Sequence, residues 1–307
     1  MVTRDDVLAA AERIRGRVHR TPTFTSATLG PGARLKGELF QKTGSFKVRG
    51  VLNKLDSLSP EQKERGVIGI SAGNHAQALA WGAAAEGVSA LLVMWQGAST
   101  AKLEATRGYG AEVDLEAEDP AGAFRRLDVL LAETGRMLVH PFDDPIVLAG
   151  AGTVGLELVD EAPDVETVIV PGGGGGLVAG IAAALPDRQV VCVEPEGSNA
   201  IAAGLAAGHS VPVTPRSVAD GLSAPFAGDN ALEVLRANGV RSVLVSEEEI
   251  GVAFRFLYAR AKLACEPAAA VGLAALLAGK IEGKNVGVVV SGGNVAAETA
   301  SAILTAQ

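Results

Sequence analysis

Lys42-Thr43-Gly44-Ser45-Phe46-Lys47-Val48-Arg49-Gly50 places a lysine behind an aromatic residue, at the expected start of a helix. Gly44 lets the chain turn, and Ser45 is read as the helix cap. Val48, Val51, Leu52 and Leu55 follow at helical spacing and give the helix an apolar face. Lys47 falls in the first turn, where the helix dipole disfavours a positive charge and burial would disfavour it further. Both effects push the amine towards its neutral, nucleophilic form, the form in which a lysine can make a Schiff base. The plainer reading is a solvated charge at a helix start, and its partners along the chain weigh against that.

An amphipathic helix over residues 5–18, ended by Pro22, precedes this stretch. After it, short buried strands alternate with helices. Strands are expected at 67–71, 90–95, 111–115, 137–140, 165–170, 189–194, 243–245 and 286–291. Helices are expected to Glu86, at 99–107, 121–134, 177–185, 198–207, 229–238 and 247–264, then from Pro267 to Gly279, and after the last strand. Ser246 and Glu249 form a capping box for the helix at 247–264. This alternation predicts an α/β protein with parallel sheet and helices on both faces.

The chain has 307 residues, enough for two domains or one large one; it is 48% hydrophobic and only 4% aromatic, so its core must pack aliphatically. A net charge of −8 without basic clusters argues against nucleic acid and anionic membrane as partners. The longest apolar run, Ala268 to Ala278, is too short to span a bilayer, and Met1 to Asp6 has no apolar leader region. Cys192 and Cys265 stand alone and far apart, which fits a reducing cytoplasm and neither a disulfide framework nor a cysteine-based metal site.

Three strand-to-helix turns carry chemistry. The five glycines Gly172 to Gly176, between a strand and a helix, expose backbone N–H groups where a phosphate can bind. Gly174, Gly176 and Ala179, with Glu194 about twenty residues on, also fit a dinucleotide fingerprint, so a nicotinamide-dependent oxidoreductase is the competing class. That alternative leaves Lys47 without a task. Ser71-Ala72-Gly73-Asn74-His75 offers a hydroxyl and first-turn N–H groups to a carboxylate, and Asn74 an amide donor. His75 is either a titrating base or a satisfied buried histidine. Ser291-Gly292-Gly293-Asn294 puts a hydroxyl at the end of the last strand. In an open α/β sheet such turns converge beyond the carboxyl ends of the strands. A lysine, a phosphate cradle, an amide, a carboxylate cradle and a hydroxyl together suit pyridoxal 5′-phosphate.

On these motifs, together with Ala219-Asp220-Gly221, the sequence resembles the fold-type II pyridoxal-phosphate enzymes (tryptophan synthase β-like), in the threonine/serine dehydratase and serine racemase branch. The resemblance runs over nearly the whole chain. It implies a large open twisted sheet domain, residues 1–65 and 144–307, with a smaller mobile α/β domain inserted at 66–143. Lys47 would be the Schiff-base lysine and Phe46 would pack against the ring. Asn74 would bond the cofactor 3-hydroxyl, while Gly173, Gly174, Gly175, Gly176 and Leu177 would hold its phosphate. Gly221 and Glu266 would line its far edge, and Ser291 would face the pyridine nitrogen. Ser71, Ala72, Gly73, Asn74 and His75 would hold the carboxylate of an amino-acid substrate.

The activity implied is elimination of water from L-threonine, L-serine or a similar 3-hydroxy amino acid, giving a 2-oxo acid and ammonia. A 3-hydroxyaspartate dehydratase and a serine racemase are the neighbouring alternatives. A neutral hydroxyl at Ser291 does not hold the pyridine nitrogen protonated as a carboxylate would, which favours prompt loss of the β-group. Two departures from the family pattern stand out. Some members bind a divalent cation through Glu-Pro-x-x-Ala-x-Asp; here Glu194-Pro195 is kept but the last position is Ala200, so no metal is expected. The chain also stops soon after its last motif, so the regulatory domain of biosynthetic threonine dehydratases is not expected. The family implies a cytoplasmic homodimer or homotetramer.

Overall fold

The computed structural model describes residues 1–98 and 100–306. The chain opens with α1 (Arg4–Ile14), closed at its start by a capping box between Thr3 and Asp6. A hairpin follows, β1 (Thr23–Ser26) and β2 (Gly30–Gly37), then α2 (Lys47–Asp56) and α3 (Pro60–Arg65). Next comes an alternating unit: β3 (Val67–Ile70), α4 (Asn74–Ala85), β4 (Ala90–Trp95), α5 (Thr100–Gly108), β5 (Glu112–Ala117), α6 (Pro120–Thr134) and β6 (Met137–Leu138). The expected helix 99–107 is α5; its first position, Ser99, lies outside the described residues.

The remainder alternates again. It runs through α7 (Pro145–Glu161), β7 (Thr167–Pro171), α8 (Gly176–Ala184), β8 (Gln189–Pro195), α9 (Ala200–Ala207) and α10 (Asp229–Ala237). It closes with β9 (Arg241–Val245), α11 (Glu247–Phe256), α12 (Pro267–Leu277), β10 (Val286–Val290) and α13 (Ala297–Thr305).

The strands form two sheets. One has six strands in the order β1-β2-β10-β7-β8-β9, parallel except for the edge hairpin β1–β2. The other has four parallel strands in the order β5-β4-β3-β6. Every residue of β3, β7 and β10 is buried, as strands covered by helices on both faces must be. The apolar face of α2, with Val48, Val51, Leu52 and Leu55, shares one core with Leu79 of α4 and with Val67 and Leu92 of the second sheet. Lys47 therefore stands at the seam between the two sheets.

Several elements depart from the expectation: α1 ends at Ile14 where a helix to 18 was expected, α3 was not expected at all, and two others differ more widely. No helix was expected between 141 and 164, yet the 17-residue α7 is the centre of the large core. It is apolar nearly all round, so it shows no periodic face; its one start signal is Asp144, which caps Ile146 and Val147, followed by Pro145. Glycines bring its backbone against its neighbours. A Cβ on Gly152 would lie 2.4 Å from the Gly180 carbonyl oxygen of α8, and one on Gly150 would lie 2.7 Å from Cα of Gly50 in α2. The expected helix 247–264 breaks at Phe256 into a wide π turn over residues 257–261 and ends at Lys262, with φ +61°. That detour re-aims the chain so that Glu266 reaches the site described next.

Candidate active site

Ser45 does not cap α2. It is extended, with φ −159°, and its buried Oγ has no hydrogen-bond partner among the described residues. The loop is instead fastened from the neighbouring strand. Gly44 turns at φ +74°. The N–H of Gly293 donates to the Gly44 carbonyl (2.9 Å), Asn294 Nδ2 to the Thr43 carbonyl (2.8 Å), and the N–H of Phe46 to the Ser291 carbonyl (3.1 Å). Two residues past Lys47, the fully buried Arg49 pairs with Glu38 through Nε (2.8 Å) and with Glu157 through Nη1 (2.7 Å). It ties α2 to the end of β2 and to α7. A charge on an apolar helix reads as solvated in sequence, so nothing in the pattern announces this network.

Lys47 Nζ donates to the Pro141 carbonyl at 2.6 Å and lies 5.1 Å from the Phe46 ring centroid. Burial pushes its pKa down to about 8, against the opposing pull of Glu266. Glu266 is itself pushed up to about 7, by burial first and then by Asp220. Asn74 Nδ2 donates to both Glu266 oxygens (2.8 and 3.0 Å), and its Oδ1 accepts from Asn294 Nδ2 (2.8 Å). The amide expected to meet the cofactor 3-hydroxyl thus lines the same cavity as Lys47, with its nitrogen on Glu266 and its oxygen on Asn294.

His75 settles as a buried structural histidine. Its Nε2 donates to the Val139 carbonyl (2.8 Å), and burial, reinforced by the charge on Lys47, holds its pKa near 3. Its ring ties α4 to the end of β6 and cannot serve as a base titrating near neutrality. In the first turn of α4 the amides of Asn74, His75 and Ala76 donate to no protein acceptor among the described residues, while the N–H of Gly73 donates to Ser71 Oγ (3.0 Å).

The glycine loop leaves β7 and enters α8 through Gly175, at φ +99°. Among the described residues, the N–H groups of Gly173 to Leu177 have no protein acceptor. A Cβ on Gly174 would fall 2.2 Å from Cγ of Phe142, so only glycine lets the backbone form this cradle. Free amides at a helix N-terminus, backed by glycine, fit a phosphate. Gly221 and Ser291 complete the wall.

Every residue expected at the site, from Phe46 and Lys47 to Glu266 and Ser291, lines one cavity of about 650 Å³. The structure adds residues the sequence reading did not assign. Pro141 and Phe142 line the cavity, Asn294 orients Asn74, and Lys102 pairs with Asp220 (2.5 Å) across the mouth.

The second reading of the glycine loop requires Glu194 to face a ribose. Instead Glu194 is buried at the end of β8. Its Oε1 accepts the Ile201 N–H (2.7 Å), and its Oε2 accepts the Ala202 N–H (2.8 Å) and Ser242 Oγ (2.5 Å). Both oxygens are consumed in capping α9, which leaves the dinucleotide reading without its acidic residue. The same bonds bear on a cation: both Glu194 oxygens already accept hydrogen bonds, and among the described residues no cluster of three or more His, Cys, Asp or Glu side chains gathers. EDTA treatment is expected to leave turnover within about twofold, since metal affinity needs several converging oxygens. A large loss restored by magnesium would overturn this.

The chain matches the family described as pyridoxal-phosphate dependent enzyme over residues 14–292. It is 41% identical to the L-threonine ammonia-lyase of Thermotoga maritima, over 96% of this chain and 76% of that protein. It is 42% identical to a catabolic L-threonine dehydratase, TdcB, of Staphylococcus aureus, over 96% of this chain and 90% of the other. Among solved structures, maize serine racemase superposes with a TM-score of 0.92 at 35% identity, covering 97% of this chain and 95% of that one.

Proposed function

This chain belongs to the pyridoxal-phosphate dependent enzymes, and from that premise we propose that it is an L-threonine ammonia-lyase that also takes L-serine. The observation that carries the reading is the convergence, in one cavity, of the desolvated Lys47 amine, the free amides of Gly173–Leu177 and the unpartnered first turn of α4. Identity above 40% to enzymes named for this reaction supports it.

When bound, pyridoxal phosphate supplies the covalent anchor and the electron sink for the pair left at Cα. The rest falls to the protein. Gly173–Leu177 hold a phosphate by N–H donation, and the first turn of α4 holds the substrate carboxylate. Lys47 removes the Cα proton; with its pKa near 8, a useful fraction of the amine is unprotonated at neutral pH. The β-hydroxyl departs as water with one proton, in balance with the one Lys47 takes from Cα, and the released enamine product adds a water to give a 2-oxo acid and ammonia. Residues 66–143 act as the small domain over this site, and the chain works in the cytoplasm as a homodimer or homotetramer. No helix of the described residues is long and apolar enough to cross a membrane.

Among the described residues, the cavity offers little to a second carboxylate. Apart from Lys47, the cation on its wall is Lys102, which Asp220 already neutralises. That favours threonine and serine over 3-hydroxyaspartate. The test is turnover of all three: formation of 2-oxobutanoate from L-threonine is expected, and absence of any 2-oxo acid from threonine and serine would refute the reading.

The likeness to maize serine racemase raises a second activity. Racemisation needs a proton donor on the face of Cα opposite Lys47, where the racemases of this branch carry a serine before Gly-Asn-His. Here that position is Ala72, whose methyl lines the cavity and neither takes nor gives a proton. L-Serine is expected to yield pyruvate with D-serine below about 1% of product, since a missing acid–base group costs 10²–10⁴ in rate. Chiral chromatography decides; D-serine accumulating as fast as pyruvate contradicts the prediction.

A further inference from the structure

We propose that His140 is a positioning residue: its ring pins the loop that presents the Pro141 carbonyl to Lys47, and so fixes where the lysine amine rests whenever it is free. The inference rests on the reading of Lys47 as the base and adds to it a residue that touches neither cofactor nor substrate.

Residues 139–144 carry the chain from β6 to α7. His140 Nδ1 accepts the N–H of Phe142 (3.3 Å) and of Asp143 (2.8 Å), closing a tight turn around Pro141. An imidazole nitrogen that accepts two amides must be bare of a proton. Burial keeps it so by pushing the ring down to about 4; Asp143 and Asp144 pull the other way, and the charge on Lys47 sides with burial.

The turn is fixed beyond His140 as well. The Phe142 ring stands edge-on to His140, with centroids 4.7 Å apart, and backs onto Gly174 of the phosphate cradle. Asp143 accepts the N–H groups of Asp229 (3.2 Å) and Asn230 (3.0 Å) at the start of α10. The proline ring fixes φ of Pro141, and the peptide unit that carries its carbonyl is held through the Phe142 N–H on His140 Nδ1. So held, the carbonyl faces Lys47 Nζ at 2.6 Å.

A lysine has four side-chain torsions, and a base acts only when its lone pair faces the proton it takes. One N–H given to a fixed carbonyl removes most of that freedom. The same carbonyl favours the ammonium form, as Glu266 does, while burial and any charge on His75 or His140 oppose it.

The test compares His140→Leu with His140→Asn in the full chain. The Asn Oδ1 can take the place of Nδ1 and accept both amides; leucine cannot. In cofactor-free protein, the pH profile of Lys47 acetylation, read by mass spectrometry, should move to lower pH in the Leu variant and stay in place in the Asn variant. In cofactor-loaded enzyme, kcat should fall about tenfold or more for Leu, with KM little changed, and recover in Asn. A folded Leu variant with the wild-type labelling profile and kcat overturns the proposal, as does equal loss in both variants.

Should the Leu variant not fold, ¹⁵N spectra of histidine-labelled wild type decide. A bare, hydrogen-bonded Nδ1 on His140 from pH 6 to 9 is expected, and a protonated Nδ1 overturns the proposal. Failure here is distinct from failure of the functional reading, which would show instead as turnover surviving the loss of Lys47.

Discussion

Ammonia release from L-threonine should fall by more than about 10³-fold in Lys47→Ala, because the covalent anchor and the Cα base are lost together. The fold should survive. Among the described residues the Lys47 amine makes one protein hydrogen bond, to the Pro141 carbonyl. It is also held in a desolvating environment that lowers its pKa to about 8, so its removal relieves a cost. The residues that anchor α2, namely Val48, Val51, Leu52, Leu55 and Arg49, are untouched. Circular dichroism and thermal unfolding check the fold, and a coupled ammonia assay checks the activity. A folded variant that keeps a tenth of wild-type turnover would show that another group is the base.

The second large effect is expected at the glycine loop. In Gly174→Ala the new methyl would meet the Phe142 ring at 2.2, 2.3 and 2.6 Å from its three nearest carbons. The ring is hemmed in, because its backbone N–H is held by His140 and the ring packs on Phe226 with centroids 5.4 Å apart. Either the loop or the ring must shift, at a cost of about 1–3 kcal/mol. A shifted loop no longer aims its amides at one point. Titration of cofactor-free protein with pyridoxal phosphate should need at least about tenfold more ligand for half-saturation, the equivalent of a single hydrogen bond to a charged group. Gly97→Ala, whose methyl would find its nearest neighbour at 3.8 Å, serves as the control on the same cavity wall. Equal affinity for the two variants would mean that the loop does not hold the phosphate.

Much of this site was legible before any coordinates, for a physical reason. Its parts are backbone devices, glycines that free amides and helix starts that point them, and such devices are written in short contiguous runs. Gly172–Gly176, Ser71–His75 and Ser291–Asn294 each lie at a strand end followed by an irregular turn or helix start, and parallel sheets collect such ends on one side. The lysine could be read because an ionisable group beside an aromatic residue in a first helical turn is chemically unusual wherever it occurs.

The sequence by itself determined the alternating α/β architecture, the glycine loop between a strand and a helix, and the place of Lys47 in a first helical turn. The tertiary structure alone decided what each polar group near the site is bonded to. Ser45 reads as a cap, yet Ser291 and Gly293, nearly 250 residues away, fasten the loop. His75 reads as either a base or a buried histidine, and burial with a bond to Val139 makes it neutral, while His140, to which the sequence reading gave no role, holds the Pro141 turn. Glu194 reads as a ribose partner in the dinucleotide alternative, and it is bonded instead to two amides and a hydroxyl. The central helix α7 was invisible because a helix covered on all sides carries no periodic signal. Local pattern reports local energy; hydrogen bonds and desolvation across hundreds of residues depend on which surfaces meet, and only the folded chain brings those surfaces together.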